Sequence, residues 1–136
     1  MKYEFIKVDE DITKLKYKDK EFEIKRNVKL ISEMQALVSQ SRIKMIQDFA
    51  KNGQSIKDLT IERKENGKTY YDNTNKDELE KIYYEQATTE YFNNKCNELF
   101  GMELAVLMED IGLVKAEEGE KFAKELIACL SGNIPS

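Results

Sequence analysis

Residues 15–24 alternate apolar and charged side chains about a short polar turn, and this pattern constrains the fold more than any other stretch. A two-residue turn at Asp19 and Lys20 sets a register of four cross-strand pairs: Tyr17 with Phe22, Leu15 with Ile24, Lys18 with Glu21, and Lys16 with Glu23. One face is then apolar, and the other pairs opposite charges. The segment therefore predicts a β-hairpin, and the alternation from Tyr3 to Val8 predicts a strand before it.

Four later segments repeat apolar side chains at three- and four-residue steps, the spacing of one helix face. They predict helices over Val28 to Lys51, Lys76 to Phe100, Met102 to Ile111, and Ala116 to Leu130. Asn27 is the expected cap of the first helix, and Asn75 with Glu78 resembles a capping box for the second. A tail of residues 131–136 follows the last helix.

Asn66-Gly67 indicates a second hairpin near residues 59–72, because both residues accept the positive φ angles of a tight turn. A short helical turn beginning at Ser55 competes for the residues of its first strand. Together these elements predict a mostly helical α+β fold. An N-terminal hairpin is followed by about four helices, in a single domain over 1–136.

The composition favours a globular, acidic protein. The chain has 22 Lys and Arg against 26 Asp and Glu, a net charge of −4, and 40% hydrophobic residues. Nucleic-acid binders usually carry a basic excess, so this class is disfavoured. Residues 2–29 hold nine basic and seven acidic residues (+2), whereas 101–136 hold three and seven (−4). That asymmetry could guide head-to-tail association, although an ordinary solvated surface also accounts for it.

Cysteine usage and hydropathy bear on the location of the protein. Cys96 and Cys129 each lie within a helical pattern, which favours buried structural thiols over a disulfide framework. No apolar run approaches the roughly 20 residues of a membrane span. The first residues lack the apolar core of a signal peptide. We therefore expect a cytoplasmic protein that does not contact a membrane.

The chain contains no histidine, which is the usual proton shuttle and the commonest metal ligand. Asp9-Glu10-Asp11 fails as a calcium loop, because Lys14 and Lys20 occupy the positions that require Gly and Glu. Glu109 and Asp110 are adjacent in a helix and point about 100° apart, which disfavours a carboxylate pair. The sequence predicts no catalytic residue, no metal site and no cofactor.

Aromatic residues concentrate between Tyr70 and Phe100, where seven of the 13 lie. Exposed tyrosine rings can stack on single-stranded nucleic acid. However, residues 76–100 offer only Lys76, Lys81 and Lys95 as basic partners. Core packing or a tyrosine-rich protein interface is the favoured interpretation.

The layout resembles the tail assembly chaperones of siphophages that infect Gram-positive bacteria. Two stretches carry the resemblance: Leu15 to Ile24 leading into the first helix, and Phe122-Ala123-Lys124-Glu125-Leu126 through Leu130-Ser131-Gly132. The likeness is one of layout, without a signature motif, and the Asn66-Gly67 hairpin has no place in it. It implies a non-enzymatic protein that binds tape measure and tail tube proteins in the cytoplasm of a bacterial host.

The same features suit an alternative, a small acidic phage or mobile-element inhibitor of a host defence or nucleic-acid-handling complex. Under either hypothesis the C-terminal third is expected to bind a protein partner or a second copy of the chain. Its apolar side chains recur at helical spacing in a segment of net negative charge. The residues predicted to bind protein are Leu104, Leu107, Met108, Phe122, Leu126 and Leu130. A role in the core is the competing interpretation for the last three.

Overall fold

The computed structural model describes residues 2–132 of the chain as a mostly helical α+β fold, as predicted. Its strands are β1 (Glu4–Lys7), β2 (Ile12–Tyr17), β3 (Lys20–Lys25), β4 (Ile61–Glu65) and β5 (Lys68–Asp72). Its helices are α1 (Leu30–Lys51), α2 (Thr74–Phe100), α3 (Leu104–Ile111) and α4 (Ala116–Ser131), with a 3-10 helix at Ile56–Leu59. Of the predicted tail, Ser131 belongs to α4, and residues 133–136 lie outside the described part.

The described chain falls into two compact units. The first combines the N-terminal residues through Glu33 with the residues from Tyr91 onward, and the second spans Met34–Glu90. The division cuts through α1 and α2, which each contribute to both units. The prediction of a single domain is not decided by this division and stays a prediction.

The first unit contains an antiparallel sheet in the order β1-β2-β3. The predicted hairpin forms, but its register differs by two residues, since Leu15 pairs with Phe22 and Tyr17 with Lys20. All four predicted pairs are therefore wrong, since the charged residues also shift and Lys16 pairs with Glu21 and Lys14 with Glu23. The turn residues are Lys18 and Asp19, and Lys18 adopts a φ of 52°.

A shift of two residues keeps every side chain on its predicted face, because the side-chain period of a strand is two. Leu15, Tyr17 and Ile24 remain on the buried face. The opposite face keeps its mixed charges, and Lys14 approaches Glu21 at 2.8 Å. The sequence thus predicts which side chains of the hairpin are buried. It does not predict the position of the turn, which decides between registers that differ by two residues.

The core of the first unit lies between this sheet and the C-terminal helices. Phe122 of α4 is fully buried, and its ring packs against Tyr3 and Phe5 at centroid distances of 5.1 and 5.6 Å. Phe22 of β3 meets the edge of Phe100 at 5.3 Å. These aromatic contacts hold α4 and the end of α2 against the buried face of the sheet.

Two predicted helix starts need correction. Asn27 accepts a hydrogen bond from the Lys29 amide, but the regular helix α1 begins at Leu30 instead of Val28. Helix α2 begins at Thr74, which places Asn75 inside its first turn. The carboxylate of Asp72 accepts hydrogen bonds from the Thr74 amide and hydroxyl, so the start of α2 is fixed by Asp72 and not by the predicted box.

The second unit contains the later part of α1, the beginning of α2, and the β4–β5 hairpin between them. Asn66 and Gly67 form its turn with φ angles of 51° and 71°, as their sequence predicts. The competing helical turn also exists, because Ser55 caps the 3-10 helix and β4 begins only at Ile61. Tyr83 donates a hydrogen bond to Asp48 at 2.7 Å and links α2 to α1.

Candidate protein-binding site

The structure separates the six residues predicted to bind protein into two groups. Two are half-buried, Leu104 and Met108. Four are buried in the first unit: Leu107, Phe122, Leu126 and Leu130. A buried side chain cannot meet a partner while the unit stays closed, so these four side chains form core. That these six residues bind protein stays a prediction. The accessible apolar surface of this region lies beside the four buried residues.

That surface is a groove between α3 and α4 with a volume of about 540 Å³. Gly112 ends α3 in a left-handed conformation with a φ of 94°, and the chain turns through Leu113 and Val114 into α4. The residues that line the groove are Ala105, Met108, Glu109, Leu113, Val114, Lys115, Ala116, Gly119, Glu120 and Ala123. Only three of these ten side chains are charged, so the groove is mostly apolar.

Small side chains on α4 make room for the groove. Ala116, Gly119 and Ala123 recur at steps of three and four residues and therefore share one helix face. A Cβ added at Gly119 would lie 3.4 Å from the Sδ of Met108, so this glycine faces the flexible thioether. This spacing of small residues is the signal by which the sequence could have revealed the groove.

Val114 is the most exposed large apolar side chain of the described structure, with 83% of its surface accessible. It lines the groove at the turn between the two helices. Of the predicted residues, Met108 also lines the groove, and its unbranched thioether can adapt to differently shaped partners. The groove thus contains Met108, which was predicted to bind protein, beside residues such as Val114 that were not predicted to do so.

Charged side chains border the groove unequally. Glu109 and Glu120 contribute carboxylates, and Lys115 contributes one amine. Within residues 2–132 neither carboxylate takes part in an ion pair. The groove therefore suits an apolar segment that carries basic residues.

Asp110, the neighbour of Glu109, is engaged elsewhere. Its carboxylate accepts hydrogen bonds from the Lys20 amine and the Tyr17 hydroxyl, each at 2.7 Å. These bonds, that of Lys20 first, lower the pKa of Asp110 because they stabilise its charged form. The two adjacent carboxylates thus have separate surroundings, and Asp110 fastens α3 to the first hairpin.

This arrangement predicts a pH-dependent effect of Asp110→Asn. Because the folded protein lowers the pKa of Asp110, the bonds stabilise the fold above the ordinary value of about 3.9. This stabilisation is lost as the pH falls through the lowered pKa of Asp110 in the folded protein. In denaturant unfolding, we expect the variant to be less stable than the parent at about pH 7. The difference between their free energies of unfolding should narrow at about pH 3. An equal gap at both pH values would contradict the assignment.

A second cavity of about 330 Å³ lies in the second unit. Residues of α1 and α2 line it: Val38, Ser41, Arg42, Asp77, Glu80, Lys81 and Tyr84. Arg42 Nε lies 3.5 Å from Glu80 Oε1, which is buried and accepts no hydrogen bond within the described residues. The two basic and two acidic side chains that line this cavity balance in formal charge.

The structure gives the remaining candidates structural roles. Asp9 accepts hydrogen bonds from the amides of Asp11 and Ile12, so the acidic run forms the turn before β2. Within residues 2–132, no three Cys, Asp or Glu side chains group closely enough to hold a metal ion. Cys96 and Cys129 are buried, as predicted, and burial raises the pKa of each thiol to about 11.

Comparison of the chain with protein-family models, with curated proteins and with solved structures gives no significant match. None of the helices in the described part of the chain combines the length and apolarity that crossing a membrane requires. The function must therefore be inferred from the surface of this molecule itself.

Proposed function

We propose that this protein is a non-enzymatic protein-binding module whose α3–α4 groove holds an apolar segment of a client protein. In this proposal it acts in the cytoplasm of a bacterial host as a phage tail assembly chaperone, with tape measure and tail tube proteins as clients. The observation that carries the proposal is the apolar groove with Val114 exposed beside it.

Apolar surface that stays exposed to water costs free energy. Burial of apolar surface is worth roughly 25 cal/mol per Å². The side chains of Met108, Leu113 and Val114 offer such surface, together with the small residues of α4. A client segment that fills the groove removes this surface from water without unfolding the core, because the core lies behind it in Leu107 and Phe122.

The flexible side chain of Met108 and the carboxylates beside the groove both favour the binding of varied clients. Met108 can change its rotamer to fit clients of different shape, while Glu109 and Glu120 favour basic residues beside the apolar segment. The acidic chain keeps its complexes soluble through its net charge of −4. The proposal assigns no proton shuttle or metal chemistry, consistent with a chain without histidine.

Co-expression with a siphophage tape measure protein tests the proposal. The parent is expected to hold the tape measure protein in the soluble fraction and to co-purify with it. Val114→Asp places a charge in the groove, and Gly119→Leu fills it above Met108. We expect both variants to weaken client binding at least about tenfold, a loss of about 1.4 kcal/mol, and therefore to leave less of the client soluble.

Val8→Asp is the matched control for Val114→Asp, because Val8 is also exposed, at 52%, and does not line the groove. It should retain full client binding. A client that stays insoluble beside the parent, or that is bound equally by the groove variants, would contradict the proposal. Specific capture of a host nuclease or polymerase instead would support the inhibitor alternative.

A further inference from the structure

A second apolar feature of the first unit is an exposed patch at the start of α1. Val28 and Ile31 are 79% and 70% exposed, and the basic residues Lys25, Arg26 and Lys29 surround them in sequence. We call these five residues the N-terminal knob. Leu30 is buried, and the adjacent Ile31 points in a different direction from the helix and is exposed.

We propose that the knob of one copy enters the α3–α4 groove of a second copy, so that the protein associates head to tail. The inference rests on the proposed binding role of the groove and names a second copy of this chain as an occupant that competes with the client. Two exposed aliphatic side chains of the knob, Val28 and Ile31, match the apolar lining around Met108 and Val114.

Charge complementarity argues for this occupant. The knob contains three basic residues, and the groove presents Glu109 and Glu120 against the single Lys115. Within the described residues none of the three knob cations forms an ion pair. The nearest carboxylate on α1, that of Glu33, is already engaged by Tyr91 and Lys95.

The two surfaces lie toward opposite ends of α4. The Asn27 amide donates to the Leu130 carbonyl at 2.8 Å, which places the knob beside the end of this helix. The groove lies beside its beginning, at Ala116 and Gly119. The groove extends along α4 as far as Ala123, and seven residues of helix separate Ala123 from Leu130, about 10 Å at 1.5 Å per residue. Val28 and Ile31 remain exposed, so the knob does not fill the groove of its own copy.

Because the two surfaces are different and face different copies, the contact is heterologous. Each copy offers one knob and one groove, so association extends beyond a dimer unless the geometry closes a ring. The client and the neighbouring knob then compete for the groove. Self-association would shield the apolar groove until a client displaces the second copy.

A mixing experiment on the full chain tests this geometry. Knob variant Val28→Asp/Ile31→Asp keeps its groove, and groove variant Val114→Asp keeps its knob. By light scattering between about 1 µM and about 1 mM, the parent should rise in mass with concentration. Each variant alone should remain at 15.9 kDa, whereas their equimolar mixture should form a dimer that grows no further. Val8→Asp should associate like the parent, and about 1 M salt should weaken the parent's association.

The proposal is overturned if the parent stays monomeric, if the knob variant associates like the parent, or if the mixture remains monomeric. The knob variant also separates this inference from the proposed function. It retains the groove, so it should still bind the tape measure protein, and with the parent's competing knob removed it should bind at least as well. Client binding without self-association refutes only the head-to-tail contact, and self-association without client binding refutes only the chaperone role.

Discussion

Leu126→Asp is expected to lower the free energy of unfolding by at least about 3 kcal/mol, enough to unfold many small domains. Leu126 is 2% exposed on the face of α4 that carries Phe122 and Leu130. An aspartate there loses its hydration and gains no ionic partner from these apolar neighbours. Circular dichroism during denaturant unfolding measures the loss.

Val114→Asp controls for the chemistry of the change, because the same kind of substitution falls on an exposed side chain. It should retain the melting behaviour of the parent. If Leu126→Asp folded as stably as the parent, Leu126 would not be a core residue. The sequence-based prediction that Leu126 binds a partner would then gain support.

The two thiols are expected to react at least about a hundred times more slowly than a free cysteine with an aromatic disulfide reagent. Burial raises the pKa of Cys96 and Cys129 from 9.0 to about 11, which lowers the reactive thiolate about a hundredfold near pH 8. Because both thiols are buried, the reagent reaches them only when the first unit opens locally. Absorbance of the released thiophenolate follows the reaction.

Denaturant provides the control, because both cysteines should then react at the rate of a free thiol. The variants Cys96→Ala and Cys129→Ala assign each phase to one residue. A native thiol that reacts as fast as in denaturant would contradict its burial. Slow reaction of both would exclude a redox role for the pair under native conditions.

Local sequence determined most of the secondary structure. Asn66-Gly67 specified the second hairpin, since few residue pairs accept two positive φ angles. The alternation of residues 15–24 specified which face of the first hairpin is buried. The ends of α3 and α4 followed from Gly112 and Gly132, which both take positive φ angles.

Helix periodicity was less informative about burial. Val38 and Ile46 recur at the same three- and four-residue spacing in α1 as Leu37 and Met45. In the structure Leu37 and Met45 are buried, whereas Val38 and Ile46 are 53% and 43% exposed. When the apolar face of a helix is wider than its contact with the neighbouring helix, the side chains at the edge of that face remain exposed to water. The width of the contact depends on the neighbouring helix and not on the periodicity of the sequence.

The sequence by itself determined the class of fold, the order of the elements and the absence of histidine chemistry, because these depend on neighbouring residues and on composition. Only the tertiary structure decided which apolar side chains form core and which remain accessible. Leu126 and Val114 are both apolar residues of the C-terminal third, yet one is buried and the other is exposed. The difference arises because α3 and α4 pack their larger side chains toward the sheet. Small residues of α4 line the groove, where Gly119 faces Met108 of α3, and contacts between residues distant in sequence set this arrangement.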